Sequence, residues 1–321
     1  MRAATRSRFG GPEVVSVSSV DKPEVSADGI LVRVRAASLN KADWYGLTGT
    51  PWVARMEMGV RGPKSPFLGG DFAGVVEQVG SEVTEFAPGD EVYGGKAGAI
   101  VEYLVAKKWI APKPAGLSFE EAASVPTAGV TALQALRDHG RLQAGQHVLV
   151  NGASGGVGTF AVQIAKAMEA HVTAVCSTAN VETARSLGAD EVIDYTVEDF
   201  TRVASKCDLL VDVAGGRSFS DLKRTLAPTA TVVVVGGPSR SRLLGPLGHI
   251  MRIRLATVVG DRSSVFFIAK FNRPDFDRLR EMIEVGSVRA VVDRVYPLDE
   301  VADAFAYLGE GHARGKVAIA I

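Results

Sequence analysis

Residues 148–167 read VLVNGASGGVGTFAVQIAKA, and this run decides the fold. An apolar β-type stretch, VLV, leads into a glycine-rich turn, and apolar residues at helical spacing follow. Ala153, Gly155 and Gly158 fill the three fingerprint positions of a dinucleotide-binding turn, with Ala in place of the first glycine. Gly155 lets the backbone approach a pyrophosphate, and Gly158 lets the helix pack against the strand. The turn residues Ser154, Gly156 and Val157 open the helix, whose free N–H groups and partial positive charge favour phosphate. A glycine fingerprint alone is a weak signal. Here a strand precedes it, a helix follows, and a second strand, HVTAVC at 171–176, lies beyond, which is the required context.

Outward from this run, strands and helices alternate from about residue 127 to 265. EVIDY, CDLLVDVAGG and ATVVVVGG read as further strands of a parallel, doubly wound sheet. Val213, Ala214, Gly236 and Gly237 then fall at late strand ends, where a cofactor cleft would lie. Residues 1–126 have a different rhythm. ILVRVRAASL, FAGVVEQVG and AIVEYLVAK are strand-like runs separated by short turns such as APGDEV, which predicts an antiparallel, barrel-like domain. Residues 266–321 are mixed, with a helix in PDFDRLREMIEVG and a last strand in GKVAIAI. The fold class expected is α/β, with a partly open barrel at 1–126 and 266–321 around a doubly wound domain at 127–265.

The second strand chooses between cofactors. Enzymes that hold NAD usually end it in Asp or Glu, which binds the ribose hydroxyls. Here it ends in Cys176, Ser177 and Thr178. Two hydroxyls suit a 2′-phosphate, and Ser177 and Thr178 also suit the N-cap of the next helix. Arg185 is a nearby cation, Tyr195 in VIDY can pack at the adenine side, and His312, Arg314 and Lys316 in GHARGK offer further positive charge. The pattern points to NADPH.

Lys plus Arg and Asp plus Glu are both 36, so no net charge favours nucleic acid or an anionic membrane surface. The two cysteines, Cys176 and Cys207, sit in apolar strand-like runs and read as buried thiols of a reducing compartment. The N-terminal stretch is rich in Arg and Ser, as transit peptides are, but lacks the apolar core of a secretory signal. The longest apolar runs are too short to span a bilayer, so no integral membrane segment and a cytoplasmic location are expected.

The chain resembles zinc-independent quinone oxidoreductases of the medium-chain dehydrogenase/reductase superfamily, and their mitochondrial reticulon-interacting branch most. FGGPEVV, AASLNKADWYGLTG, FLGGDFAGVVEQVG, PGDEVYG, EEAASVPTAGVTALQAL, GASGGVGTFAVQIAKA, SLGADEVIDY and GHARGKV follow in that family's order. The resemblance implies a GroES-like domain around a Rossmann domain. It also implies that Asn40 stands where zinc-dependent relatives have a Cys, and Gly70 and Asp71 where they have a His–Glu pair. The four-Cys structural lobe is missing after GDEVYG. The five histidines, His139, His147, His171, His249 and His312, form no spaced set with cysteine, so no metal is expected.

By the same resemblance, Asn40 and Thr131 lie beside the nicotinamide and its ribose, and Tyr45 orients the substrate oxygen. Asn180 stands where relatives often have a lysine, which weakens the phosphate clamp. The implied reaction is reduction of a small apolar electrophile, a quinone or an enone, by NADPH. The other reading is an NADPH-binding redox sensor or scaffold with little catalysis. Tyr103 and Lys107 match the spacing of the short-chain dehydrogenase pair, but they precede the glycine turn on a strand-like run. A homodimer is expected through an edge strand near IRLATVV. The basic, apolar stretch at 239–259 has no assigned role.

Overall fold

The computed structural model describes residues 1–237, 243, 245–257 and 262–321. The strands in chain order are β1 (Arg2–Arg6), β2 (Val15–Ser19), β3 (Ile30–Leu39), β4 (Asp71–Val79), β5 (Glu91–Gly95), β6 (Tyr103–Ala106) and β7 (Ile110–Pro112). Then come β8 (His147–Asn151), β9 (His171–Cys176), β10 (Glu191–Asp194), β11 (Cys207–Asp212), β12 (Leu226–Val234) and β13 (Ser263–Phe266). Last are β14 (Val292–Pro297) and β15 (Lys316–Ala320). The chain forms two compact units. One holds residues 1–130, 270–286 and 290–321, and the other 131–269 and 287–289.

The first unit is a barrel-like sheet in the order β14-β15-β3-β4-β5-β7, with β6 paired to β3 and a separate β1-β2 ribbon. β3 explains why its sequence alternates only in part. It pairs with β4 on one edge and with β6 and then β15 on the other, so only Arg33 and Arg35 along it are exposed. Phe72, Val32, Val92 and Leu104 fill one core, and Leu39, Leu47, Phe305 and Ile319 fill a second. The helix Arg273–Glu284 is tied to the sheet through Phe276. The Tyr93 ring meets Phe276 edge-on at 5.5 Å, and the Tyr93 hydroxyl donates to the Phe276 carbonyl at 2.8 Å.

The second unit is an all-parallel sheet in the order β10-β9-β8-β11-β12-β13. Strand order reverses between β8 and β11, and their carboxyl ends border the crevice where such sheets bind ligands. The boundaries differ from the sequence expectation by a few residues. Gly129 packs against Leu279, which holds residues 127–130 with the first unit. Gln163 brackets the Arg289 backbone with bonds of 2.9 and 3.0 Å, which draws 287–289 into the second.

One expectation is corrected. The described part of IRLATVV is not an edge strand: its residues 253–256 end the helix Leu247–Ala256. Ile250 and Ile253 share one buried side, the spacing of a helix rather than a strand. Among the described residues the edge of this sheet is β13. Much of the 239–259 stretch, including residues 239–242, 244, 258 and 259, lies outside the described residues.

Tyr93→Phe tests the tie to Phe276. It removes one buried hydrogen bond from a carbonyl that keeps its helical partner, so urea unfolding should show a loss of about 1 kcal/mol. An unchanged midpoint would mean that the packing alone holds the helix.

Candidate active site

In the first unit, four separate stretches bring polar side chains to one point. Register explains the convergence. β15 runs antiparallel to β3 with Val317 opposite Leu39, so Lys316 arrives beside Asn40. β4 pairs with β3 with Asp71 opposite Ser38, which brings its carboxylate to the same end. Asn40 is the N-cap of the helix Lys41–Thr48, and Asp43, three residues on, accepts from the Asn40 backbone N–H at 2.7 Å. Thr127 comes from the first turn of the helix Pro126–Gln134.

Asp71 is fully buried. It accepts from Asn40 Nδ2 at 2.9 Å, from Thr127 Oγ1 at 2.6 Å and from the Thr127 backbone N–H at 3.2 Å. Lys316 is 3% exposed, and its ammonium lies 3.6 Å from Asp71 Oδ2. It donates to the Leu39 carbonyl at 3.1 Å and to Asn40 Oδ1. Burial lowers the Lys316 pKa, and Asp71 and Asp43 oppose that shift. Burial and the charge of Asp71 push the Asp43 carboxyl up to about 7, against bonding from Asn40 and the charge of Lys316. The sequence reading placed Lys316 with the phosphate-binding cations. The structure engages its ammonium in this buried cluster instead. His312 and Arg314 are exposed, and the Arg314 backbone N–H donates to Asp293 at 2.8 Å. Tyr45 is partly exposed on the helix Lys41–Thr48.

In the second unit the glycine turn links β8 to the helix Gly156–Ala167, with Gly155 as its N-cap. A Cβ on Gly158 would lie 2.1 Å from the Gly152 carbonyl oxygen, so no larger residue fits there. A Cβ on Gly155 would meet only the Gly152 oxygen, at 3.7 Å, which leaves the turn open on that side. The Ala153 N–H donates to the Val175 carbonyl at 3.0 Å, fixing the turn to β9. Ser154, Gly156 and Val157 are partly exposed at the helix start. The residues present therefore fit a pyrophosphate. Val213 and Ala214 follow β11, with both N–H groups donating to the Asn151 carbonyl, and Gly236 and Gly237 follow β12. Thr131 is half-buried at the start of this unit.

The end of β9 holds a group the sequence reading missed. β10 pairs Asp194 beside Cys176, and the Thr178 hydroxyl donates to the Asp194 carboxylate. Bonds from Thr178 and then Thr196 hold Asp194 below the usual carboxylate range. A carboxylate does stand at this edge, supplied by the neighbouring strand. Asn180 is buried and donates to Ser177 Oγ at 2.9 Å. Arg185 is exposed and paired with Glu182 at 2.6 Å, and Tyr195 is exposed.

A second missed group lies where strand order reverses. Asp212 is fully buried and accepts from Asn151 Nδ2 at 2.7 Å and the Gly215 N–H at 2.9 Å. His249 Nε2 lies 3.2 Å from its other oxygen. A charged residue inside the apolar run CDLLVDVAGG was the available signal.

Two family models match the chain. "Alcohol dehydrogenase GroES-like domain" covers residues 26–135, and "Zinc-binding dehydrogenase" covers 187–319. The mouse mitochondrial NAD(P)H oxidoreductase RTN4IP1 is 35% identical, over 90% of this chain and 81% of its own length. The chain belongs to the quinone oxidoreductase-like medium-chain dehydrogenases/reductases. Within that family, a tomato 2-methylene-furan-3-one reductase is 35% identical, over 99% of this chain and 79% of its own. The quinone oxidoreductase structure from Coxiella burnetii aligns with a TM-score of 0.87 and 30% identity, covering 100% and 99% of the two chains. The family makes this an NAD(P)H-dependent oxidoreductase of the quinone oxidoreductase and enoyl reductase type, built from a GroES-like unit and a Rossmann unit. Among the described residues no helix is long and apolar enough to cross a membrane.

The raised Asp43 pKa makes stability depend on pH. The folded state keeps a proton that the unfolded chain releases near the ordinary carboxylate value. Stability is therefore full below that value and falls as pH rises through about 7. Thermal melts should show the wild-type Tm falling between about pH 4 and 7, and Asp43→Asn should flatten that fall. Parallel curves for the two proteins would contradict the assignment.

Proposed function

We propose that the chain is an NADPH-dependent reductase of quinones or activated alkenes, working by direct hydride transfer without a metal. The cluster around Asn40 carries this reading. Zinc needs several converging deprotonated ligands. Here Gly70 offers none, Asn40 is an amide, and Asp71 is taken by Thr127, Asn40 and an adjacent ammonium. These donors do not fit a metal. They fit a polar contact to an acceptor that needs little activation, because a quinone or enone delocalises the charge it gains. The names of the tomato and Coxiella relatives agree with that acceptor class.

In the second unit, the N–H groups at the start of the helix Gly156–Ala167 hold the pyrophosphate, and Gly158 keeps that helix close to β8. Bound NADPH supplies the hydride. The acceptor gains one hydride and one proton, and NADP⁺ is left. Asn40 donates to the acceptor's oxygen and Tyr45 orients it. Ser177 and Thr178 face the 2′-phosphate, while Asp194 limits the preference over NADH. We further propose a homodimer paired through β13, the edge of the sheet among the described residues. Light scattering giving only a monomer would rule that out.

Steady-state assays with quinones, enones and simple alcohols test the reaction class. NADPH-dependent reduction of the first two and negligible alcohol oxidation, unchanged by a chelator, is the expected result. Activity lost on metal removal would overturn it. Titration of Ser177→Asp with both cofactors tests the pocket. The wild type should prefer NADPH, and the variant should lose that preference by about tenfold or more, because a new carboxylate repels the phosphate. An unchanged preference would show that the end of β9 does not choose the cofactor.

A further inference from the structure

We propose that Lys316 is a positioning residue for the reduction. Its buried ammonium fixes the Asn40 amide so that one Asn40 N–H is presented to the acceptor's oxygen. The inference rests on the reading that Asn40 meets the acceptor.

The geometry is specific. Asn40 Oδ1 accepts from Lys316 Nζ, and Asn40 Nδ2 donates to Asp71 at 2.9 Å. An amide nitrogen carries two N–H groups. One is spent on Asp71, and the side chain also meets the Asp43 carboxyl, so the other N–H is shared between Asp43 and an arriving acceptor. Asn40 is the partly exposed member of the trio, while Lys316 and Asp71 are buried. A flipped amide would set its NH₂ against an ammonium and its oxygen against a carboxylate. The two charges therefore select one orientation, and their burial makes the selection strong. The ammonium also draws electron density from Oδ1, which makes the remaining N–H a better donor to a developing oxyanion. The placement does not depend on a flexible side chain finding its partner. Lys316 is locked by the β3–β15 register and by its bond to the Leu39 carbonyl.

A purely structural ion pair is the competing account, and three variants separate the two. Lys316→Met leaves Asp71 a buried, unpaired charge, so it should lower both Tm and kcat. Asp71→Asn/Lys316→Met removes both charges, which is often tolerated in a protein interior. The double variant should regain most of the Tm while kcat stays about 10- to 100-fold below wild type, somewhat less than the roughly 100- to 1000-fold cost of removing a preorganised donor outright. NADPH Kd should remain within about twofold in both, since the cluster does not hold the phosphates. Lys316→Arg, which keeps a cation, should retain more activity than Lys316→Met. Recovery of kcat together with Tm in the double variant would overturn the proposal. So would a selective loss of NADPH affinity with kcat intact, which would return the ammonium to a phosphate role. If the wild type reduces no acceptor, the proposed function fails, and the side-chain amide NMR signals of Asn40 decide the positioning claim alone. One set of Asn40 side-chain N–H signals in the wild type that becomes doubled or exchange-broadened in Lys316→Met, as two amide orientations interconvert, supports it; a single sharp set in both contradicts it.

Discussion

A lysine ammonium buried against a carboxylate, Lys316 with Asp71, is the constraint on which the first unit's site depends. Two charges taken out of water are tolerated only when every donor and acceptor around them is satisfied. That demand ties together the end of β3, the starts of β4 and β15 and the first turns of two helices. It leaves Asn40 no freedom in its amide, and burial together with the Asp71 charge nearby raises the Asp43 carboxyl into the neutral range. Stability and chemistry meet at this point, because the pair that fixes the strands also aims the donor.

The second unit is built on a different constraint, close approach of backbone. Gly158 admits no side chain, so the helix can stand with its N–H groups at the carboxyl edge of β8. Around that edge lie two carboxylates in opposite situations. Asp194 is partly exposed and held ionised by threonine hydroxyls at the end of β9. Asp212 is buried, satisfied by Asn151, Gly215 and His249, and orders the ends of β8 and β11.

The sequence made local features legible. The glycine turn, the alternation of strands and helices, and the absence of an acid at the end of β9 all follow from residues close in the chain. What stayed hidden was tertiary. Lys316 is 276 residues from Asn40, and Asp71 is 31 residues from Asn40 and 56 from Thr127. No spacing rule joins these, so Lys316 read as one more cation in GHARGK. Asp194 was in plain view in VIDY, yet its place beside Thr178 depends on β10 pairing with β9. IRLATVV misled because its apolar residues suit a strand in isolation, while the burial of Ile250 and Ile253 on one side fits residues 253–256 to the end of a helix.

The central claim is direct hydride transfer from a nicotinamide to an electrophilic acceptor on a site that uses no metal. The most direct test is a single turnover with NADPH deuterated at the transferring position, run with an enone on chelator-treated protein. The account predicts one deuterium at the β-carbon of the product, a primary isotope effect, and the same rate with and without chelator. Product free of deuterium, or a rate restored only by added metal, would contradict it.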